Sequence, residues 1–383
     1  MRVIQISFFV DPQRRPPERL LSDWHSLADI AVAVASAGVR VTVVQASRVP
    51  GEVVRNGVEF LFLPPDEPSG LLTRSTSFTA ALRDRRPDVL HVHGLGFGRE
   101  VLALRGLAPN VPIFLQDHAD RPPRFWRRHA WRRGAAVAEG ISFCAAAQAE
   151  PFQRFNLLAR AVQLFEIPES TSTFVPGDRA AARAATGLHG DPAVLWVGHL
   201  DRNKDPLTVL AGVGEAARYL PGLHLWCCFG SAPLLGAVQA RIARDAVLRD
   251  RVHLLGRVPH EQVEQLMRAA DLFVLASHRE GSSFSLIEAL ATGLTPVVTD
   301  IPSMRALTGN AATGALWPCG DSRALSQALQ AVAVALGPQT RAATRAHFDQ
   351  QLSSAAIGRK FERAYAALTT TPRPVGVASS RAS

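Results

Sequence analysis

The chain has 383 residues, 47% hydrophobic and 20% charged, a composition that leaves room for two packed cores and excludes a disordered or fibrous protein. Its net charge of +9 and isoelectric point near 10.5 suit an anionic partner (nucleic acid, a membrane surface or a phosphorylated ligand) as well as a solvated arginine-rich surface. The four cysteines, Cys144, Cys227, Cys228 and Cys319, show neither a disulfide framework nor metal-type spacing, which reads as a reduced, cytoplasmic protein.

Along the chain, short apolar runs alternate with longer amphipathic stretches. The first run, Met1 to Val10, stops at Asp11. It is too short to span a membrane and carries no small-residue cleavage site, so a buried first strand over Val3–Phe8 is expected. A helix over Ser22–Ala35 stops at Gly38. Strands follow at Val39–Val44, Val58–Leu63, Val89–Val92, Ile113–Leu115, Ile141–Cys144 and Val162–Phe165. Glu166–Pro176, rich in Pro, Ser and Thr, breaks the pattern like a linker. The alternation then restarts, with strands at Val194–Val197, Leu223–Cys228, Val252–Leu254, Leu272–Leu275 and Pro296–Thr299. Helices lie between them, among them Pro206–Tyr219 and Glu261–Ala269. Strands alternating with helices make parallel sheets covered on both faces, so two α/β doubly wound units are expected. The last stretch, 369–383, reads as a flexible tail.

In open parallel sheets, ligands bind beyond the carboxyl ends of the strands. The residues there are the functional candidates: His93, Asp117, His118, Gly198, His199, Gly230, Gly256, His278, Glu280 and Asp300. The sharpest segment runs from His278 to Gly293. Gly281, Ser282 and Ser283 form a loop after an apolar strand, and a helix follows from about Ser283 to Ala291. Unpaired N–H groups at its start, strengthened by the helix dipole, make an anion site, with Glu280 before the helix and Glu288 within it. A diphosphate could lie on those groups with a carboxylate toward a sugar on each side. The bland alternative is two surface glutamates flanking a helix.

Glu280–Gly293 resembles the donor motif of glycosyltransferase family 4, a group of retaining enzymes of the GT-B type. Val197-Gly198-His199-Leu200 through Lys204-Asp205 resembles the family's Gly-Arg…Lys element, and Val252–Val258 its base-holding strand and turn. Asp88–Gly94 resembles a cleft strand of the first domain, and Trp317–Asp321 the Pro-Gly-Asp turn. The resemblance implies two Rossmann-like doubly wound domains facing across a cleft. Residues 1–168 would be the acceptor domain, 169–346 the nucleotide-sugar donor domain, and 347–368 a helix crossing back. It further implies retaining transfer from a nucleoside-diphosphate sugar to a hydroxyl of a glycan or lipid-linked acceptor, with no cofactor and no metal.

By the same resemblance, Lys204 contacts the diphosphate and Glu288 the ribose hydroxyls. Glu280 holds a hydroxyl of the transferred sugar, and His118 faces that sugar. Gly198, His199, Val258, Gly281, Ser282, Ser283, Phe284 and Ser285 complete the donor site. Two departures stand out. His199 replaces the family's arginine, with Arg202 nearby, and the Gly-Gly loop after the first strand is replaced by Asp11–Arg19, where Arg14, Arg15 and Arg19 could supply charge. These departures keep open a catalytically silent sugar-nucleotide-binding subunit. A nucleotide-sugar epimerase is also open, with Asp117 and Asp120 as its acid/base candidates. A metal pair at His91 and His93 is weaker than a structural role for strand-end histidines. Finally, Arg121–Arg133 mixes six arginines with two tryptophans and a phenylalanine. It reads either as a peripheral membrane contact or as a basic helix packing its aromatics on the sheet. No nucleic-acid module accompanies the charge.

Overall fold

The computed structural model describes residues 1–370, the side chains of residues 25–27 excepted. The first sheet has eight strands: β1 (Arg2–Ser7), β2 (Arg40–Ala46), β3 (Gly51–Arg55), β4 (Val58–Leu63), β5 (Val89–His93), β6 (Ile113–Gln116), β7 (Gly140–Phe143) and β8 (Gln163–Glu166). Their order is β3-β4-β2-β1-β5-β6-β7-β8, parallel except that β3 pairs antiparallel with β4. The second sheet has six: β9 (Ala193–Val197), β10 (His224–Cys228), β11 (Val252–Gly256), β12 (Leu272–Leu275), β13 (Thr295–Thr299) and β14 (Ala315–Trp317), ordered β11-β10-β9-β12-β13-β14. Helices cover both sheets, giving the two-unit α/β architecture of the GT-B fold.

The apolar strand runs form because both faces of each sheet are covered. Every residue of β5, β6, β7, β12 and β13 is buried, His91 and His93 included. One core fills the second unit, and two cover the faces of the first sheet. The last helix, Ser354–Thr370, packs against the His25–Ser36 helix and β5 of the first unit through Ile357, Phe361, Ala364, Tyr365 and Leu368. Each large apolar side chain so buried contributes about 1.5–3 kcal/mol.

The helix expected over Ser22–Ala35 is two helices, Pro17–Asp23 and His25–Ser36, broken at Trp24, whose φ of −113° and ψ of 71° are not helical. The chain crosses between units at Leu352–Ser353, later than expected. His347 still belongs to the Pro338–Gln351 helix on the second unit, where its Nε2 bonds the Leu307 carbonyl at 2.8 Å. Of the expected tail, Thr369 and Thr370 are helical, and 371–383 lie outside the described residues. The first part of the linker-like stretch is packed, with Ile167, Pro168, Glu169, Ser170 and Thr171 all buried, whereas Thr173, Val175 and Pro176 are exposed.

Candidate functional site

The strand order of the second sheet reverses between β9 and β12, which run parallel side by side. Loops leaving adjacent strands at such a switch point diverge and leave a crevice. The loop after β9 carries Gly198, His199 and Lys204, and the loop after β12 carries His278 to Ser283. The two are stitched together. The His278 N–H donates to the Asn203 carbonyl at 2.8 Å, the Asn203 amide donates to the Arg279 carbonyl at 3.0 Å, and His278 Nε2 meets Asp205 Oδ2 at 3.0 Å. Asp205 sits at a left-handed φ of 49°, and its carboxylate caps the Pro206–Ala216 helix through Thr208. This frame delivers Lys204 Nζ to Glu280 Oε1 at 2.5 Å, with side chains 15% and 13% exposed. The pair was not foreseen, since the sequence suggested separate roles for the two residues.

His199 accepts the Ser231 N–H on Nδ1 at 3.2 Å, so its ring hydrogen stands on Nε2. Gly198 lies against Lys204: a Cβ there would come within 3.8 Å of Lys204 Cδ. Val258 is half-buried just beyond β11, on the core of the second unit. The Phe284–Ala291 helix begins after Ser283, whose hydroxyl is buried and has no partner. Phe284 and Ser285 open its first turn, whose N–H groups have no helical acceptor. Glu288, one turn on, accepts from His260 Nε2 at 2.7 Å, and that carboxylate raises the histidine's pKa against the opposing effect of burial.

Ser282 departs from expectation. Its N–H, expected to help complete the donor site, donates to Glu169 Oε1 at 2.8 Å, while the Glu169 N–H donates to Ser282 Oγ at 3.1 Å. Glu169 Oε2 also takes His118 Nδ1 at 2.6 Å. Gly281 permits this packing. A Cβ there would lie 2.7 Å from Glu169 Oε1 and 2.8 Å from Ala119 Cβ. Gln148 adds a second link by donating to the carbonyls of Glu280 and Gly281 at 2.8 and 3.0 Å. Arg279 adds a third, through Nη2 to the Ala119 carbonyl at 2.5 Å. The loop after β12 is thus clasped by the first unit and by the connecting segment. Sequence reasoning missed Glu169, Gln148 and His260. The one available signal for Glu169 was a carboxylate set between Pro168 and Ser170 in the Pro-, Ser- and Thr-rich break.

On the first unit, His118 Nε2 faces His93 Nδ1 at 3.1 Å, and His93 Nε2 faces Gln5 Oε1 at 3.4 Å. Burial disfavours charge on His118, but the Glu169 hydrogen bond and charge, with Asp120 and Asp117, outweigh it and raise its pKa. His93 is driven the other way, well below its ordinary value, by burial and by His91 and His118. The array links Glu169, His118, His93 and Gln5 in one chain of polar contacts running inward. His91 Nδ1 meets the Tyr365 hydroxyl at 2.7 Å, which ties β5 to the last helix. Asp117 is pushed up to about 7 by burial and Asp120. Its oxygens accept the N–H groups of Ala119 and Asp120, and Asp120 Oδ2 accepts that of Leu95. These acids build the turn after β6. A cavity of about 540 Å³ opens over the carboxyl ends of β1, β2, β5 and β6, lined by Ser7, Gln45, Trp24, His93 and His118.

The arginines of the Asp11–Arg19 loop are partly committed. Arg15 is bound by Asp11 and by Asp23, and Arg19 pairs with Asp23. Of the basic-aromatic segment, Trp131 is buried and stacks on Phe152, whereas Phe125 and Trp126 are 74% and 60% exposed. No helix among the described residues is long and apolar enough to cross a membrane.

Two family models match in chain order, Glycosyltransferase Family 4 over residues 25–154 and Glycosyl transferases group 1 over residues 191–333. A D-inositol 3-phosphate glycosyltransferase of Nocardia farcinica is 33% identical over 147 residues, covering 37% of this chain and 33% of its own. The chain thus aligns with about a third of that relative's length. A GDP-mannose:cellobiosyl-diphosphopolyprenol alpha-mannosyltransferase of Xanthomonas campestris is 24% identical over 298 residues, 75% of this chain and 76% of its own. Among solved structures, the sucrose-phosphate synthase of Thermosynechococcus elongatus superposes with a TM-score of 0.71 at 20% identity, over 96% of this chain and 99% of its own. With both halves matched and the fold shared, the chain belongs to the group 1, family 4 glycosyltransferases.

Proposed function

We propose that this protein transfers a sugar, with retention and without a metal ion, from a nucleoside-diphosphate sugar to a hydroxyl of a glycan or lipid-linked glycan. The observation that carries the reading is the convergence at the β9/β12 switch point of Lys204, Glu280 and a helix start with a buried, unpartnered Ser283 hydroxyl. An anion with several acceptor oxygens satisfies that hydroxyl and the first-turn N–H groups together. Lys204 then carries the diphosphate charge, and Glu280 is released to a sugar hydroxyl. Glu288, steadied by His260, takes the ribose hydroxyls, while Val258 and the turn after β11 flank the base. His118, held by Glu169, faces the sugar from the other side of the cleft.

In the reaction, the bond from the sugar's anomeric carbon to the diphosphate oxygen breaks. A bond to the acceptor oxygen forms on the same face, and the acceptor proton passes to the departing diphosphate. The leaving charge is met by Lys204 and the helix start, a preorganised electrostatic arrangement. The acceptor enters through the cavity lined by Trp24, Gln45 and His93, and the exposed Phe125 and Trp126 beside the arginines suit a lipid-linked acceptor at an anionic surface. The relative named as a mannosyltransferase, which uses GDP-mannose and a polyprenol-linked acceptor, supports this substrate class.

Turnover of a panel of nucleotide sugars, with and without lipid-linked and free glycan acceptors, tests the reading. The expected product is acceptor-dependent and keeps the donor's anomeric configuration by NMR. An epimerised nucleotide sugar formed without acceptor would favour the epimerase, although Asp117 and Asp120 are committed to their turn. Nucleotide binding with no turnover on any acceptor would favour the silent subunit.

A further inference from the structure

The second unit carries a cluster that the transfer site does not use. His189 lies in the loop after the Arg179–Thr186 helix, His224 opens β10, and His253 is the second residue of β11. In the parallel register, His253 stands opposite Trp226. Because side chains alternate along a strand, His224 and Trp226 share that face. The 187–192 loop folds over it. The Trp226 indole N–H donates to the His189 carbonyl at 2.9 Å, and the Asp191 N–H donates to the Gly222 carbonyl at 2.6 Å. Gly190, at a φ of 131°, allows the approach, since a Cβ there would lie 3.0 Å from that of His224.

One ring nitrogen from each histidine lies within 4.8 Å of those of the other two. His224 Nδ1 and His253 Nε2 are 3.0 Å apart. Nitrogens bound tetrahedrally at about 2.0–2.1 Å from a zinc ion stand about 3.4 Å apart, so small ring movements close the set. The surroundings hold the rings in place. Trp226 stacks on His253 with centroids 3.9 Å apart. His189 Nδ1 lies 3.1 Å from the Gly187 carbonyl, which fixes the hydrogen there and the lone pair on Nε2, as a carbonyl does for a metal-bound imidazole.

We propose that His189, His224 and His253 form a site for a divalent transition-metal ion of the zinc type, clamping the 187–192 loop to the outer strands of the second sheet. All-nitrogen ligation selects zinc, cobalt or nickel over magnesium or calcium. Exposure of His189 leaves the fourth position to water. The site stands at the amino ends of β10 and β11, whereas the donor loops leave the carboxyl ends of β9 and β12. A strand length, on the order of 15 Å, separates the two. The ion is therefore a structural clamp and takes no part in transfer.

The test uses the full chain, free of any histidine tag and stripped with chelator. Cobalt(II) is titrated while its d–d absorption is followed, and zinc affinity is measured against a chromophoric indicator. The expected result is one saturable ion per chain, with tetrahedral cobalt bands that zinc abolishes. His189→Gln changes an exposed side chain and should leave the fold intact. It should weaken zinc by at least about 100-fold, more than the loss of an outer-shell partner costs. Zinc should raise the melting temperature of the wild type but not of that variant, while nucleoside-diphosphate affinity stays equal in the loaded and stripped protein. Absence of a saturable ion in the wild type, or unchanged zinc affinity in His189→Gln, overturns the assignment.

Discussion

Replacing Glu169 by Gln isolates the charge of the buried carboxylate at the join of the two units. The side chain is 8% exposed and bridges His118 Nδ1 at 2.6 Å to the Ser282 N–H at 2.8 Å. Glutamine keeps the size, and its carbonyl oxygen can still accept from Ser282. Its NH₂ then faces His118, which must present a lone pair there and give up its proton. A hydrogen bond to a charged group contributes about 1.5–3 kcal/mol, and that is the expected loss when His118 is protonated. The sign follows from linkage. His118 has a raised folded pKa, so its stabilisation is full below the unfolded value near 6.5 and is lost as pH rises through the folded value. Urea unfolding at pH 5.5 should therefore show Glu169→Gln less stable by about 1.5–3 kcal/mol, with the gap narrowing by pH 9. The His118 ring signal, followed by NMR, should titrate at lower pH in the variant. A stability difference independent of pH, or an unmoved His118 titration, would refute the charge pairing.

Gly281→Ala should force the donor loop away from Glu169 and Ala119. Overpacking of this kind costs about 1–3 kcal/mol, and kcat/KM for transfer should fall with it. Tyr365→Phe strips the hydroxyl from the buried His91 Nδ1. It should destabilise the docking of the last helix by about 1–3 kcal/mol, read by urea unfolding, because it leaves a buried nitrogen unpaired. Transfer should survive exhaustive chelation, even as the three-histidine site is emptied. Activity lost on chelation and restored by Mg²⁺ or Mn²⁺ would contradict the metal-free reading of the transfer step.

The fold was legible because the inner strands of both sheets are parallel and buried, so each reads as a largely apolar run. Val58–Leu63 and Leu272–Leu275 were read to the residue. The exposed edge strand Gly51–Arg55, with only Val53 half-buried, carries no such run and went unread. Trp24 broke an apparently continuous helix because its backbone conformation answers to tertiary packing that local periodicity does not encode. At the site, loop chemistry after a strand pointed to Lys204, Glu280 and the helix start. Their mutual ion pair, and the occupation of the Ser282 N–H by Glu169, arise from contacts over 76 and 113 positions of chain. The histidine cluster escaped for the same reason: His189, His224 and His253 meet only through sheet register and a folded loop.

The central claim is a nucleoside diphosphate held by Lys204 and Glu288 with the sugar toward Glu280, and calorimetric titration of UDP, GDP and ADP tests it most directly. One charge contact at about 4 Å in an effective dielectric near 20 is worth about 4 kcal/mol before desolvation. Part of that is already given to Glu280 in the unliganded pair. Lys204→Ala should therefore weaken the preferred diphosphate by about 10–100-fold, or about 1.4–2.8 kcal/mol. Glu288→Ala should weaken it where ribose hydroxyls are present. Glu280→Ala frees Lys204, so diphosphate should bind as well as before or tighter while turnover falls. Failure of every nucleoside diphosphate to bind would contradict the account. So would loss of binding in Glu280→Ala with Lys204→Ala and Glu288→Ala unaffected.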